Sequence, residues 1–330
     1  MNRFEISACL VASAIIVVQG CGKGAVAFDV ASEGRCDLHL CVSGPESKSL
    51  QEHECDINSL DVLIFRQSGG QMDSRSRLEG DNLNDVRIAV TKGHLMTYYV
   101  CANAPEGAFA SVRDEASFLS LLCRLDYCAQ TSLPMSGFGN GTFTQDSESV
   151  DVRLFRLPCK VSIRKISLPF LSGQSWSESV VFKGVHLVNA CGSEPWNGTA
   201  SASGEVWYNA FSLEPSLPAA LDPLLGKTVS IPVTGNDALS LEGYDFYCMP
   251  NPTVDPLRTT RLSLEFEIGG QPNWYPMDIP HMQSGCHYLI TDVTLLGYGS
   301  DSPDKKVERT GVTFTVSIIP WATAFSDVEL

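Results

Sequence analysis

Alternation of apolar and polar residues constrains this chain more than any other feature. Val312, Phe314, Val316 and Ile318 alternate with Thr313, Thr315 and Ser317. A period of two is the signature of a strand with one buried and one wet face. Leu262, Leu264, Phe266 and Ile268 repeat the pattern against Ser263, Glu265 and Glu267, and Leu38, Leu40 and Val42 repeat it against His39 and Cys41. Further strands are predicted over 60–65, closed by Gly69-Gly70, and over 86–90, 98–101, 180–188, 228–233 and 288–296. Residues 152–166 read as strand interrupted by Pro158, and Asn140-Gly141 reads as a tight turn. Only 113–125 depart from this rhythm, with Phe118, Leu121, Leu122 and Leu125 spaced as on one helix face. Many short strands separated by turns predict an all-β chain of two β-sandwich domains, with one short helix in the first. A boundary near 157 divides it into 21–156 and 157–330.

The 330 residues suffice for two such cores, because 44% are hydrophobic and 18% charged. The formal charge of −15 argues against a nucleic-acid partner, which phosphate repulsion would disfavour. The N-terminus reads as an export signal. Arg3 precedes an apolar run over 6–18, thirteen residues that are too few to span a bilayer as a helix. The run ends in Val18-Gln19-Gly20-Cys21, which looks like a bacterial lipobox, although Gln19 departs from its usual small residue. On this reading 1–20 are a lipoprotein signal peptide and Cys21 carries the lipid. The alternative is an ordinary signal peptide beside a chance cysteine. A lipidated Cys21 anchors the protein firmly to a membrane without threading it through. Ten cysteines follow, an even number in an exported chain. Disulfides and free buried thiols are both open, and no pairing follows from sequence.

Catalytic signatures are missing: no G-x-S-x-G, H-E-x-x-H, P-loop or dinucleotide fingerprint occurs. The reading assigns no catalytic residue, no metal and no cofactor. Cys36, Asp37, His39, Cys41, His53 and Cys55 have the residue types of a zinc site. As a strand, however, 36–41 turns Asp37, His39 and Cys41 to one face and Cys36 to the other. Asp301 and Asp304, with Ser300 and Ser302, read as a polar turn in preference to a calcium site. Trp176, Trp196 and Trp207 are the candidates for an exposed aromatic cluster on a binding surface.

The second half carries FYCMPNPT, TRLSLEFEIGG, WYPMDIP and YLITDVTLLGYGSDSPD in order, and ends in the strand closed by Pro320-Trp321. The first half carries LDVLIF, YYVCANAP, LPMSG and VRLFRLPCKVSIRKI. Together these resemble the Bacteroidales fimbrillin family, the subunits of type V pili and their anchor proteins. The resemblance implies two transthyretin-like sandwiches, export as a lipoprotein to the cell outer membrane, and a surface fimbria that supports adhesion. It implies other fimbrial subunits as partners, and a host or bacterial surface ligand. In polymerising members a protease cuts the loop after the first strand, and another subunit's C-terminal segment fills the vacated groove. Here the first strand corresponds to 37–42. Val312, Phe314, Val316 and Ile318 form the candidate donor or edge strand. The connection 43–59 contains Lys48 but no arginine, which makes Lys48 the candidate processing site and departs from the family's Arg-cleaved pattern. An anchor that keeps its first strand, or a tip adhesin, is the alternative role.

Overall fold

The computed structural model describes residues 34–45, 54–80, 83–129, 132–169, 178–199, 207–209, 224–234, 238–279, 281–303, 305 and 312–320. In chain order the first strands are β1 (Arg35–Ser43), β2 (Ser59–Arg66), β3 (Met72–Glu79), β4 (Asp85–Thr91) and β5 (Leu95–Ala102). After helix α1 (Glu115–Leu119) come β6 (Leu122–Arg124), β7 (Met135–Thr142), β8 (Ser147–Arg153) and β9 (Phe155–Arg156). The second series is β10 (Cys159–Ser167), β11 (Val180–Val188), β12 (Ala190–Cys191), β13 (Ser193–Pro195), β14 (Trp207–Tyr208) and β15 (Gly226–Val233). It closes with β16 (Leu239–Cys248), β17 (Arg261–Ile268), β18 (Gln271–Asp278), β19 (Cys286–Leu295) and β20 (Val312–Pro320).

Four larger sheets result. Those of the first series have the orders β4-β1-β8 and β3-β2-β5-β7-β9; those of the second have the orders β16-β10-β19-β20 and β15-β11-β17-β18. Each pair buries the faces that alternation marks as apolar. In the first sandwich Leu38 and Leu40 of β1 meet Val62 and Ile64 of β2, with Val86 and Val100 beside them. In the second, Val161, Phe182, Leu264, Tyr275 and Ile290 form the centre of a larger cluster. That cluster also takes in Leu63, Phe65, Tyr99 and Phe118 from the first series, so Gly34–Leu330 packs as one compact unit. Among the described residues, the chain forms the expected all-β sandwich architecture with one short α-helix.

Two local expectations change, and one strand arises where none was expected. The helix expected over 113–125 shrinks to five residues, capped by the Asp114 side chain on the Ser117 N–H and by Ser117 Oγ in return. Leu122 then enters β6, which pairs with β13, and Leu125 begins a 3-10 turn, so only Phe118 serves as a buried helix residue. Asn140-Gly141 is not a turn. Both residues lie in β7, opposite Thr97 and Met96 of β5. Turn glycines are found elsewhere, among them Gly69 and Gly70, with φ of 87° and 67°. Finally, β3, Met-Asp-Ser-Arg-Ser-Arg-Leu-Glu, has no apolar alternation, yet it pairs along the whole of β2.

Candidate functional site

Strand β20 forms the edge of its sheet, antiparallel to β19, with Val316 opposite Ile290 and Ile318 opposite Tyr288. Val312, Phe314 and Val316 are half-buried against the large core, whereas Ile318 is 53% exposed and Ile319 beside it is also exposed. Among the described residues, no strand pairs with the other long edge of β20. At the opposite end of the chain, β1 is central in its sheet, antiparallel to β4 and parallel to β8. Cys36, Leu38, Leu40 and Val42 point into the core; Asp37, Cys41 and, in part, His39 face outward, as alternation requires. His39 Nε2 lies 3.4 Å from Asp37, an exposed pairing with no metal-like geometry. No group of three metal-ligating side chains occurs among the described residues.

The connection after β1 returns to the fold at Glu54, and here burial is deep. Glu54 Oε1 lies 2.6 Å from Lys160 Nζ on β10 and accepts the Tyr247 hydroxyl of β16 at 2.7 Å. Glu54 and Lys160 are both almost fully buried. Arg156 donates to the Glu54 carbonyl at 2.9 Å and its guanidinium meets the Cys55 sulfur. Burial lowers the Arg156 pKa and raises those of Tyr247 and Cys55. The network runs on through Asp245, which accepts from Ser162 and from Arg164 at 2.9 Å. Burial works to raise the Asp245 pKa, but the Ser162 hydrogen bond and the nearby Lys160 and Arg164 charges bring it below the usual value. His287, opposite Lys160 on β19, has its pKa lowered to about 4 by burial and by the Lys160 charge, so it is neutral at pH 7. This ionic network fastens the segment after β1 to the second sandwich. Sequence patterning did not reveal it, because a lone Glu between His53 and Cys55 carries no periodic signal.

Cys21, Lys48, Trp176, Asp304 and Trp321 lie outside the described residues, as does the side chain of Trp207. Trp196 does not serve an exposed aromatic cluster: it is 1% exposed and packs edge-on to Phe109, with Tyr127 stacked on it. Its spacing resembled no strand face, so its burial in the joint core was not legible. The ten cysteines from Cys36 to Cys286 are free thiols, seven of them buried. Polar turn chemistry holds at Ser300, which forms a bridge with Trp274 through backbone bonds of 2.9 and 2.8 Å.

The sheets and edges together define a class: among the described residues, a largely β-sandwich chain whose first strand is central and buried and whose last lies at a sheet edge. Residues 42–158 match the model of the major fimbrial subunit protein (FimA) family, a span that runs from the end of β1 to the start of β10. Among solved structures, a candidate cell adhesion protein of Bacteroides eggerthii aligns over 87% of this chain and 96% of its own, with a TM-score of 0.66 and 22% identity. The fimbrilin FimA of Porphyromonas gingivalis aligns over 87% and 98%, with a TM-score of 0.63 and 14% identity. The tip fimbrial protein Mfa3 of the same organism aligns over 85% and 99%, with a TM-score of 0.51 and 14% identity. No curated protein matches the sequence. The resemblance to the Bacteroidales fimbrillins read from the sequence is thus met by the family match and by the shared fold.

Proposed function

We propose that this chain is a structural subunit of a cell-surface fimbria of the type V pilus class, with no catalytic role. It is exported as a lipoprotein acylated on Cys21, reaches the cell outer membrane, and joins other fimbrial subunits by donor-strand addition. The sandwiches correspond to the divisions 21–156 and 157–330. The observation that carries the reading is the FimA-family match over 42–158, which spans the sheets that surround β1. The charge-free edge strand β20 supports it further, since strand addition uses main-chain hydrogen bonds for affinity and alternate side chains for specificity. The absence of arginine from 43–59 favours a second role, an anchor that keeps its first strand and ends the fibre at the membrane.

Intact mass and N-terminal sequencing of the protein taken from its native cell surface test both roles. A lipidated start at Cys21 supports the anchor or an unassembled subunit. A start within 43–59 supports a processed, polymerising subunit. An unlipidated start between Gly22 and Val42 contradicts both.

A further inference from the structure

Sheet edges are aggregation hazards, and proteins blunt them with charge, proline or brevity. Nearly every edge of the four large sheets here is blunted in this way. Strand β3 carries Asp73, Arg75, Arg77 and Glu79; β4 carries Asp85 and Arg87; β8 carries Glu148, Asp151 and Arg153. Strand β16 carries Glu242 and Asp245, β15 has Lys227 and Pro232, and β18 has Pro272, Pro276 and Asp278. Among the described residues, two edges have neither charge nor internal proline. One is β20, already assigned to assembly. The other is the outer run of β7, Phe138-Gly139-Asn140-Gly141-Thr142.

Strand β9 covers only the start of β7, pairing Met135 with Arg156 and Ser136 with Phe155. The Leu157 N–H donates to the Pro134 carbonyl, so the main-chain groups of even-numbered residues face the β9 side. Among the described residues no strand pairs with that side beyond Ser136, and Phe138, Asn140 and Thr142 are all exposed. Their side chains share the outer face with Tyr99, Thr97 and Leu95, their opposite numbers on β5. Phe138 is 57% exposed and Leu95 is 43% exposed. The intervening glycines are required by the inner face. A Cβ on Gly139 would run into the Tyr98 hydroxyl, and one on Gly137 would come within 2.7 Å of the Arg153 carbonyl. The result is an uncharged strand edge.

We infer that this edge pairs with the same edge of a second copy, joining the two five-stranded sheets about a two-fold axis at Asn140. The run is self-complementary in that register. Asn140 faces its own copy, and Phe138 faces the partner's Thr142. Three N–H groups from each subunit then find the other's three carbonyls. On the outer face Phe138 packs on the partner's Thr142, whose neighbour across the sheet is the partner's Leu95, so the two exposed apolar side chains converge. A charge-free strip is also where two chains of charge −15 meet with least repulsion. The contact rests on one five-residue strand run, against the roughly 20–30 residues a side of a typical stable interface, so free copies pair transiently. On the fimbrial reading of the chain, the same contact repeated along two fibres adds up to lateral bundling.

The test uses the full chain with Cys41→Ser, which removes an exposed thiol. Asn140→Cys in this background is oxidised mildly and run on a non-reducing gel. Ser240→Cys, exposed on the charged edge strand β16, is the control. Disulfide-linked dimer should form several-fold more in Asn140→Cys than in the control, and adding Phe138→Lys should return it to the control level. Dimer no greater than in Ser240→Cys, or dimer insensitive to Phe138→Lys, overturns the inference. Sedimentation of the unmutated chain gives an independent readout: its mean mass should rise with concentration, and more steeply at high salt. A mass that stays monomeric at both salt levels also overturns it, and failure of dimerisation leaves the edge to a chain of another kind. Bundling is read separately on intact fibres, so a dimer found without fibres would sink only the fimbrial step.

Discussion

Glu194 is the residue whose surroundings are least suited to its charge. It lies in β13, opposite Cys123, and is almost fully buried. Ser284 donates to one carboxylate oxygen, and the other has no hydrogen-bond partner. Burial raises its pKa from 4.5 to about 8, with the Ser284 hydrogen bond opposing only in part. The folded state therefore keeps a proton on Glu194 that the unfolded state releases above pH 4.5. Stability from this group is complete at low pH, falls as pH rises from 4.5, and levels off above about 8. At about 1.4 kcal/mol per pKa unit, the loss over that window is on the order of 4–5 kcal/mol. Glu194→Gln keeps the shape and cannot ionise. Urea unfolding from pH 4.5 to 8.5 should show a shallower decline for the variant, which should be the more stable form at pH 8.5. Parallel curves for the two proteins would rule out a buried, protonated Glu194.

At the scale of the element, the glycines of β7 show how packing overrides local propensity. Gly139 lies where Tyr98 crosses from β5, and Gly137 lies under the β8 main chain. Gly139→Val adds volume against a buried tyrosine, and overpacking of this kind costs about 1–3 kcal/mol. The expected result is a lower urea midpoint with unchanged slope, and Gly139→Val combined with Tyr98→Phe should recover part of the loss. The same strand explains what the sequence concealed. Elements with one buried face, such as β1, β4 and β20, announce themselves by period two. Strand β7 does not, because three of its residues have no side chain and Asn-Gly mimics a hairpin turn. Strand β3 is hidden for the opposite reason: as an edge it needs charge more than apolar alternation, and its Arg77 is spent on buried Asp61 at 2.5 Å. The helix is shorter than its spacing predicts because Leu122 pairs with β13 and Leu125 is buried in the joint core, contacts that no local spacing encodes. Of the candidate site, the alternating strands and family motifs were legible, whereas the Glu54–Lys160 network, made across 106 positions of sequence, was not.

For the whole molecule, the consequence lies in how β1 is held at its two ends. Its inner side chains, Cys36, Leu38, Leu40 and Val42, are at most 4% exposed. Burial of such side chains is worth about 1.5–3 kcal/mol each, so roughly 6–12 kcal/mol keeps β1 between β4 and β8. Downstream, Glu54 is fixed to Lys160 and Tyr247 of the second sandwich. A cut at Lys48 would therefore leave the segment from Glu54 onward in place and would not by itself expel β1. Replacement demands a strand with an equal apolar face. Val312, Phe314, Val316 and Ile318 supply four apolar residues at alternate positions, matching the four of β1. After digestion with a lysine-specific protease, the piece ending at Lys48 should co-elute with the remainder on gel filtration. An excess of peptide 311–321 should then release it, while the same peptide carrying Val316→Asp should not, because an unpaired buried charge costs several kcal/mol. Spontaneous loss of the piece would mean that cleavage alone opens the groove. Retention in the presence of the unmodified peptide would remove donor-strand addition as the way these subunits join.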